Sequence, residues 1–222
     1  DSYGFRPARG CHDALRALSQ TVDKQAVNYI VEADIKGFFD NVNQDQLMTF
    51  LAHRIADTRV LRYIKRFLKA GIQEDGVCRA SENGTPQGGV VSPLLANLYL
   101  HYTLDLWFTR RFTKTCTGTA RLIRYADDFV ACFQVEADAI RYRKEMEERL
   151  NQFGLEVAPD KTKMIEFGPL AARWAKDRGI KPASFDFLGF THYGSRSRSG
   201  RRFRMKRQTI SKRFGAKLLA YK

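Results

Sequence analysis

Three acidic residues of this 222-residue chain stand where acids are expensive. Asp34 closes the run Asn28-Tyr29-Ile30-Val31-Glu32-Ala33-Asp34-Ile35, rich in β-branched residues, which reads as a buried strand ending at a carboxylate. Asp127 and Asp128 interrupt a second apolar run, 121–133, at its middle, the pattern of a β-hairpin with charge at its tip. Carboxylates beside apolar strands are costly unless compensated, and three together repel one another. A divalent cation is the natural compensation, and Mg²⁺ prefers a few carboxylates plus water and phosphate oxygens. Two such ions about 3.5–4 Å apart can activate an attacking hydroxyl and stabilise a leaving phosphate group. A bare Asp-Asp pair is also a common turn. The apolar strands that frame Tyr125-Ala126-Asp127-Asp128 are what an ordinary solvent turn does not need.

The elements that must position these acids follow from periodicity. Ala14, Leu15, Leu18 and Val22 recur at helical spacing, so an amphipathic helix precedes the first acidic strand. Helices are expected at about 44–55 and 59–70, then a glycine-rich turn, Gly84-Thr85-Pro86-Gln87-Gly88-Gly89. Ser92 can cap a helix with Pro93 in its first turn, running to about residue 110. A charged helix over 137–153 ends at Gly154, and strands are expected at 163–167 and 185–193. Residues 194–202 read as a flexible basic turn between two short strands. The order β-α-α-α-β-β-α-β defines an α+β fold, an antiparallel sheet backed by helices.

Composition narrows the function classes. Hydrophobic residues make up 44% of the chain, with 16 Phe, which argues for a packed core rather than disorder. No run of 18 apolar residues exists, so no membrane span is expected. The chain opens Asp1-Ser2-Tyr3-Gly4-Phe5-Arg6-Pro7, without a signal peptide and as if in the middle of a fold, so a fragment is expected. Cys11, Cys78, Cys116 and Cys132 are scattered, as are the four His, which argues against a zinc site and for reduced thiols in the cytosol. The net charge of +14 is concentrated at one end: residues 187–222 hold eleven Lys and Arg and no acid, leaving 27 basic against 24 acidic residues before them. A polyanion-binding end on a balanced body is the expectation.

Six blocks, 2–7, 33–40, 84–97, 125–128, 154–163 and 187–190, stand in an order that resembles the one in reverse transcriptases of the bacterial group II intron type. Tyr125-Ala126-Asp127-Asp128 looks like their hallmark motif, and Ala33-Asp34-Ile35-Lys36-Gly37-Phe38-Phe39-Asp40 is similar to the strand carrying their first catalytic aspartate. The stretch from Gly84 through Gln87 to Asn97 resembles their template and nucleotide loop. Gly154-Leu155-Glu156-Val157-Ala158-Pro159-Asp160-Lys161-Thr162-Lys163 and Phe187-Leu188-Gly189-Phe190 resemble the next two blocks, and Ser2-Tyr3-Gly4-Phe5-Arg6-Pro7 the one before the first aspartate. Together the blocks cover about residues 2 to 190.

The resemblance implies an RNA-directed DNA polymerase of a group II intron, supporting intron mobility and splicing in the bacterial cytoplasm. It implies a reverse-transcriptase palm over 31–193 with inserted finger helices at about 44–84, partial fingers over 1–30, and a basic connection to the thumb over 194–222. Asp34, Asp127 and Asp128 take the positions that hold two Mg²⁺ (Mn²⁺ can substitute), with the backbone carbonyl of Ile35 as a further ligand. Phe39 falls where an aromatic ring clashes with a ribose 2′-hydroxyl. Phe38 suits the core better, since extended neighbours point to opposite faces. Gln87 contacts the nucleotide, Arg6 touches phosphate or holds the fingers together, and Phe187-Leu188-Gly189-Phe190 grips the primer end. Lys161, with Lys163 as the alternative, donates a proton to pyrophosphate or neutralises it. The implied partners are a structured intron RNA template, a DNA primer and deoxynucleoside triphosphates, with self-association through open strand edges. Two other readings stand beside this one: an RNA-binding, maturase-like module with little polymerisation, and a related reverse transcriptase of a defence system.

Overall fold

The computed structural model describes residues 1–69, 72–74, 77–79, 84, 91–197, 199–200 and 202–210. In chain order the elements are α1 (Cys11–Lys24), β1 (Tyr29–Ala33), β2 (Ile35–Lys36), α2 (Phe38–Asn41), α3 (Gln44–Ala52), α4 (Thr58–Lys69), β3 (Ile72–Glu74), β4 (Val77–Arg79) and α5 (Ser92–Leu100). A π-helical segment, His101–Asp105, joins α5 to α6 (Leu106–Arg110). Then follow β5 (Ala120–Tyr125), β6 (Asp128–Phe133), α7 (Glu136–Asn151), β7 (Glu156–Val157), β8 (Lys163–Glu166), α8 (Pro169–Asp177), β9 (Ser184–Phe187), β10 (Phe190–Arg196) and β11 (Phe203–Thr209).

The fold is α+β, with a four-stranded antiparallel sheet in the order β5-β6-β1-β8. Side-chain alternation splits the sheet cleanly. Val31, Ala33, Phe129, Ala131 and Phe133 face a core built with Tyr99, Leu104, Phe108 and Phe112 of the α5–α6 region and Tyr142, Met146 and Leu150 of α7. Ile30, Ile123, Val130 and Cys132 face the opposite core, made by Ala14, Leu15, Leu18 and Val22 of α1 with Phe185, Phe187 and Met205 of a second sheet, β9-β10-β11. The helical spacing seen in residues 14–22 is therefore the buried face of α1. The first residues pair with β5: Tyr3 N–H donates to Arg124 O (2.8 Å) and Arg124 N–H to Asp1 O (2.9 Å).

Three expectations need correction. The stretch 185–193 is two strands, β9 and β10, joined by a two-residue turn at Leu188 (φ 49°) and Gly189 (φ 82°). Phe38 and Phe39 lie in a single helical turn, not an extended strand. Phe38 is buried and Phe39 half-buried with ring centroids 5.4 Å apart, so helical rotation rather than strand alternation separates them. Val91, not Ser92, occupies the cap position of α5, with Pro93 in the first turn as expected. The helix α8 carried no clear sequence signal.

One buried base in the second sheet sets an acid limit. His192 of β10 is fully enclosed, stacked on Phe185 at 5.0 Å, and its Nδ1 has no partner among the described residues. Burial lowers its imidazole from 6.5 to about 4. The unfolded chain takes this proton near pH 6.5 and the folded one only near 4, so stability is complete above 6.5 and falls as pH drops through that window. The linked loss is about 3 kcal/mol. The difference in stability between wild type and His192→Phe isolates this group and should shift by that amount in favour of the variant as pH falls from 6.5 to 4; a constant difference would assign the acid response elsewhere.

Candidate active site

Sheet alternation decides which acids can meet. Ile30, Glu32 and Asp34 share one face of the β1 line, and Asp128, Val130 and Cys132 the same face of β6. The two ends of these lines open into one cavity of about 300 Å³, lined by Glu32, Asp34, Asp128, Asp160, Lys161, Lys163 and Asp186, with Leu188 and Gly189 of the β9–β10 turn at its edge. Lys161 Nζ donates to Asp34 Oδ2 at 2.5 Å. That hydrogen bond, the Asp34 charge and the Asp128 charge together raise the Lys161 ammonium above its ordinary value. Glu32 is raised to about 7, chiefly by burial and then by the Asp186 carboxylate. Burial, with the Asp186 carboxylate beside it, thus brings the Glu32 carboxyl close to neutral pH.

The β5–β6 hairpin that carries the acidic pair turns through only two residues, Ala126 and Asp127, with Tyr125 opposite Asp128. Ala126 sits at φ 56°, a left-handed conformation that costs an L-residue roughly 1–2 kcal/mol. Three groups hold it there. Arg124 Nη1 donates to Ala126 O (2.7 Å) and to Asn97 Oδ1 (2.8 Å). Asn97 Nδ2 donates in turn to Gly4 O. Gly4 lies so close that a Cβ there would come within 2.4 Å of Ala126 N, so no other residue fits. Arg124 is 1% exposed, and its charge is met by a fork to Asp105: Nε to Oδ1 at 2.9 Å and Nη2 to Oδ2 at 2.6 Å. Burial alone would raise the Asp105 carboxyl; the Arg124 hydrogen bonds and charge, with His101 Nδ1 at 3.8 Å, outweigh it and hold Asp105 well below the carboxylate range. The π-helical segment ends at Asp105, in keeping with the frequent use of such bulges at functional sites.

The expected residues divide into groups. Asp34, Asp128 and Lys161 line one cavity. Asp127 is half-buried on the turn beside it and is not among the lining residues. Ile35 is buried, and its strand pairs with Val157. Phe39 packs against the first core. Gly84 presses on the Phe39–Asp40 backbone, where a Cβ would approach Phe39 O to 2.6 Å, so the glycine-rich loop begins against that ring's helix. Gln87 lies outside the described residues. Arg6 is exposed, reaches Ser2 O at 3.5 Å, and lines an apolar cavity with Phe5 and Leu94 rather than the acidic one.

Asp34 and Asp128 offer hard oxygen donors, which suits Mg²⁺ with most of its shell supplied by water and phosphate. The ammonium on Asp34 marks the same spot as attractive to a cation. Among the described residues no group of three His, Cys, Asp or Glu forms a ready-made metal cage.

Sequence reasoning missed Glu32 and Asp186, although Glu32 stands two residues before Asp34 and strand alternation alone puts both on one face. It also missed the Arg124–Asp105 pair. An arginine inside an apolar strand was a visible signal; the π-segment that presents Asp105 was not.

The family model for "Reverse transcriptase (RNA-dependent DNA polymerase)" matches residues 1–192, which include both acidic strand ends and the β9–β10 turn. The chain belongs to the reverse transcriptase family. Within it, the chain is similar to intron-encoded proteins: the group II intron-encoded protein LtrA of Lactococcus lactis subsp. cremoris is 44% identical over 100 residues, 45% of this chain and 16% of LtrA. A 91 kDa protein in the cob intron of Schizosaccharomyces pombe is 41% identical over 100 residues, 45% of this chain and 12% of its own length. YkfC of Escherichia coli K12 is 34% identical over 196 residues, 73% of this chain and 51% of YkfC. The chain thus spans about half the length of YkfC and far less of the others. Among solved structures, apo telomerase from Candida tropicalis truncated from its C-terminal domain shares the fold, with a TM-score of 0.63 at 17% identity over 86% of this chain and 39% of that one.

Proposed function

We propose that this chain is the catalytic region of a group II intron RNA-directed DNA polymerase that extends a DNA primer on an RNA template in support of intron mobility and splicing. The observation that carries the reading is the shared cavity of Asp34 and Asp128 with the Lys161 ammonium on Asp34. Asp34, Asp127, Asp128 and the Ile35 carbonyl are the groups that would hold two Mg²⁺, which would supply positive charge for an attacking 3′-oxygen and a leaving pyrophosphate. Lys161 holds its proton firmly at Nζ while it bonds Asp34, and passes to the pyrophosphate oxygens when substrate phosphate replaces that contact. Lys163 faces Glu32, whose carboxyl it draws down, and is the weaker choice. The Leu188–Gly189 turn, with both residues at positive φ, brings backbone to the rim of the cavity, where a primer terminus would lie. Gln87 would contact the nucleotide and Arg6 a phosphate.

The test is primer extension by the protein carrying this domain, on primed RNA with Mg²⁺ and deoxynucleotides. Templated DNA product is expected; RNA binding without any product would leave only a binding module. Sugar selection adds a sharper arm. Phe39 stands half-buried over the start of α2, and Phe39→Val should raise ribonucleotide incorporation about tenfold relative to deoxynucleotide. Equal loss of both substrates would make Phe39 a core residue only.

A further inference from the structure

The helix α4 divides its surface into three sectors at 100° per residue. Leu61, Ile64 and Leu68 turn inward, Leu68 being fully buried. Arg59, Arg62, Lys65, Arg66 and Lys69 form a basic sector, and the helix holds no acidic residue. Between the two lies an apolar stripe that nothing covers among the described residues: Val60, Tyr63 and Phe67 are 43%, 61% and 62% exposed. Arg59 pairs with Asp57 just before the helix. The other four cations have no carboxylate partner among the described residues, and they line one open groove. Arg66 already lies over the Tyr63 ring, 5.8 Å from its centroid.

We infer that α4 is a binding surface for single-stranded RNA, separate from the acidic cavity, whose lining includes no α4 residue. The inference rests on the proposed RNA-directed activity. Unpaired cations in a row suit a phosphate backbone, and exposed rings beside them suit bases whose faces are free. A duplex hides those faces and would leave Tyr63 and Phe67 without a role. A membrane surface would call for a wide apolar face, whereas here three apolar residues are turned inward and only three outward. An acidic protein would meet the cations but not the rings.

Fluorescence anisotropy with a labelled 12-mer of uridine, the matching DNA 12-mer and a hairpin RNA tests this, using the protein carrying this domain. Tyr63 and Phe67 are exposed, so Tyr63→Ala/Phe67→Ala should fold normally by circular dichroism. The double variant should weaken uridine 12-mer binding about tenfold or more while changing hairpin affinity less than twofold. Arg62→Gln/Arg66→Gln/Lys69→Gln should reduce the slope of log K against log salt by about 2, at about 0.7 per lost single-strand contact. Unchanged affinity in the aromatic variant, tighter binding of the DNA 12-mer than the RNA, or a dimer-to-monomer change without loss of RNA binding would each overturn the inference. Primer extension is run in parallel. Wild-type copying with unaltered variant binding sinks the α4 surface alone, whereas failure of the wild type to copy RNA sinks the polymerase reading.

Discussion

Asp34→Asn is expected to lower templated DNA synthesis about a hundred- to a thousandfold while RNA affinity stays within about twofold. The size follows from what the carboxylate does. Asp34 is the acid on which a cation already rests, through Lys161, and it lies in the same cavity as Asp128. Removing its charge takes away a preorganised electrostatic contact in the reacting region, an effect of about 2.7–4 kcal/mol where single contacts of this kind have been removed. Stability should move the other way. A cavity holding Glu32, Asp128, Asp160 and Asp186 besides Asp34 gains from losing one negative charge, so the melting temperature should hold or rise. Single-turnover primer extension with saturating RNA reads the first quantity and a thermal melt the second. Activity within tenfold of wild type would remove Asp34 from the metal-holding set. The same measurement on Asp127→Asn separates the two aspartates, since Asp127 stands on the turn rather than in the lining.

Arg124→Met should be severe for a different reason. It strands Asp105 as a buried carboxylate without its fork, and breaking such a pair costs about 3–5 kcal/mol, about 10 °C in the melting temperature for a chain of this length. It also frees the Ala126 carbonyl and Asn97, so the hairpin turn loses its brace. The two effects separate in the double variant Arg124→Met/Asp105→Leu. An apolar pair of similar volume should recover most of the stability. Primer extension should remain depressed at least about tenfold, because Ala126 no longer has a donor holding its strained backbone. Full activity in the double variant would reduce the pair to a packing feature. The acid response gives an independent sign. Asp105 titrates lower folded than unfolded, so its contribution is present above about pH 3.8 and is lost as pH falls below that value. The double variant should lack that limb.

The sequence carried more of the site than of its support. Strand propensity and apolar framing located Asp34 and the Asp127–Asp128 hairpin, because buried strands and stranded charges are local signals. Helix periodicity located α1, α3, α4 and α7 to within a few residues for the same reason. What stayed hidden depends on distant partners. Glu32 acquires its raised carboxyl only when the fold buries it and brings Asp186, 154 positions on, beside it. Asp105 meets Arg124 from the end of a five-residue π-segment, which interrupts an otherwise α-helical run and leaves no local sequence signal. Gly4 reads as an ordinary turn glycine until its backbone meets Ala126. The basic end is also less uniform than its composition suggested. Arg204 is spent on Asp23 of α1, which fastens the second sheet to the body, and Arg207 lies over Phe190 within that sheet.

The strand order has a consequence for synthesis on the ribosome. β1 lies between β6 and β8, so Tyr29 waits for Phe133 on one side and Glu166 on the other. At about 5–20 residues per second, the hundred or so residues to β6 take roughly 5–20 s to emerge. Throughout that interval the nascent chain displays Tyr-Ile-Val-Glu-Ala with both backbone edges bare, while α1, already made, can shield only one face. Slow codons or pauses between β2 and β5 would lengthen the exposure, and pauses after β8 would not. The yield of folded protein in a cell should therefore depend on the translation speed of residues 37–119 and on chaperones that engage extended apolar segments, even when the purified protein is stable.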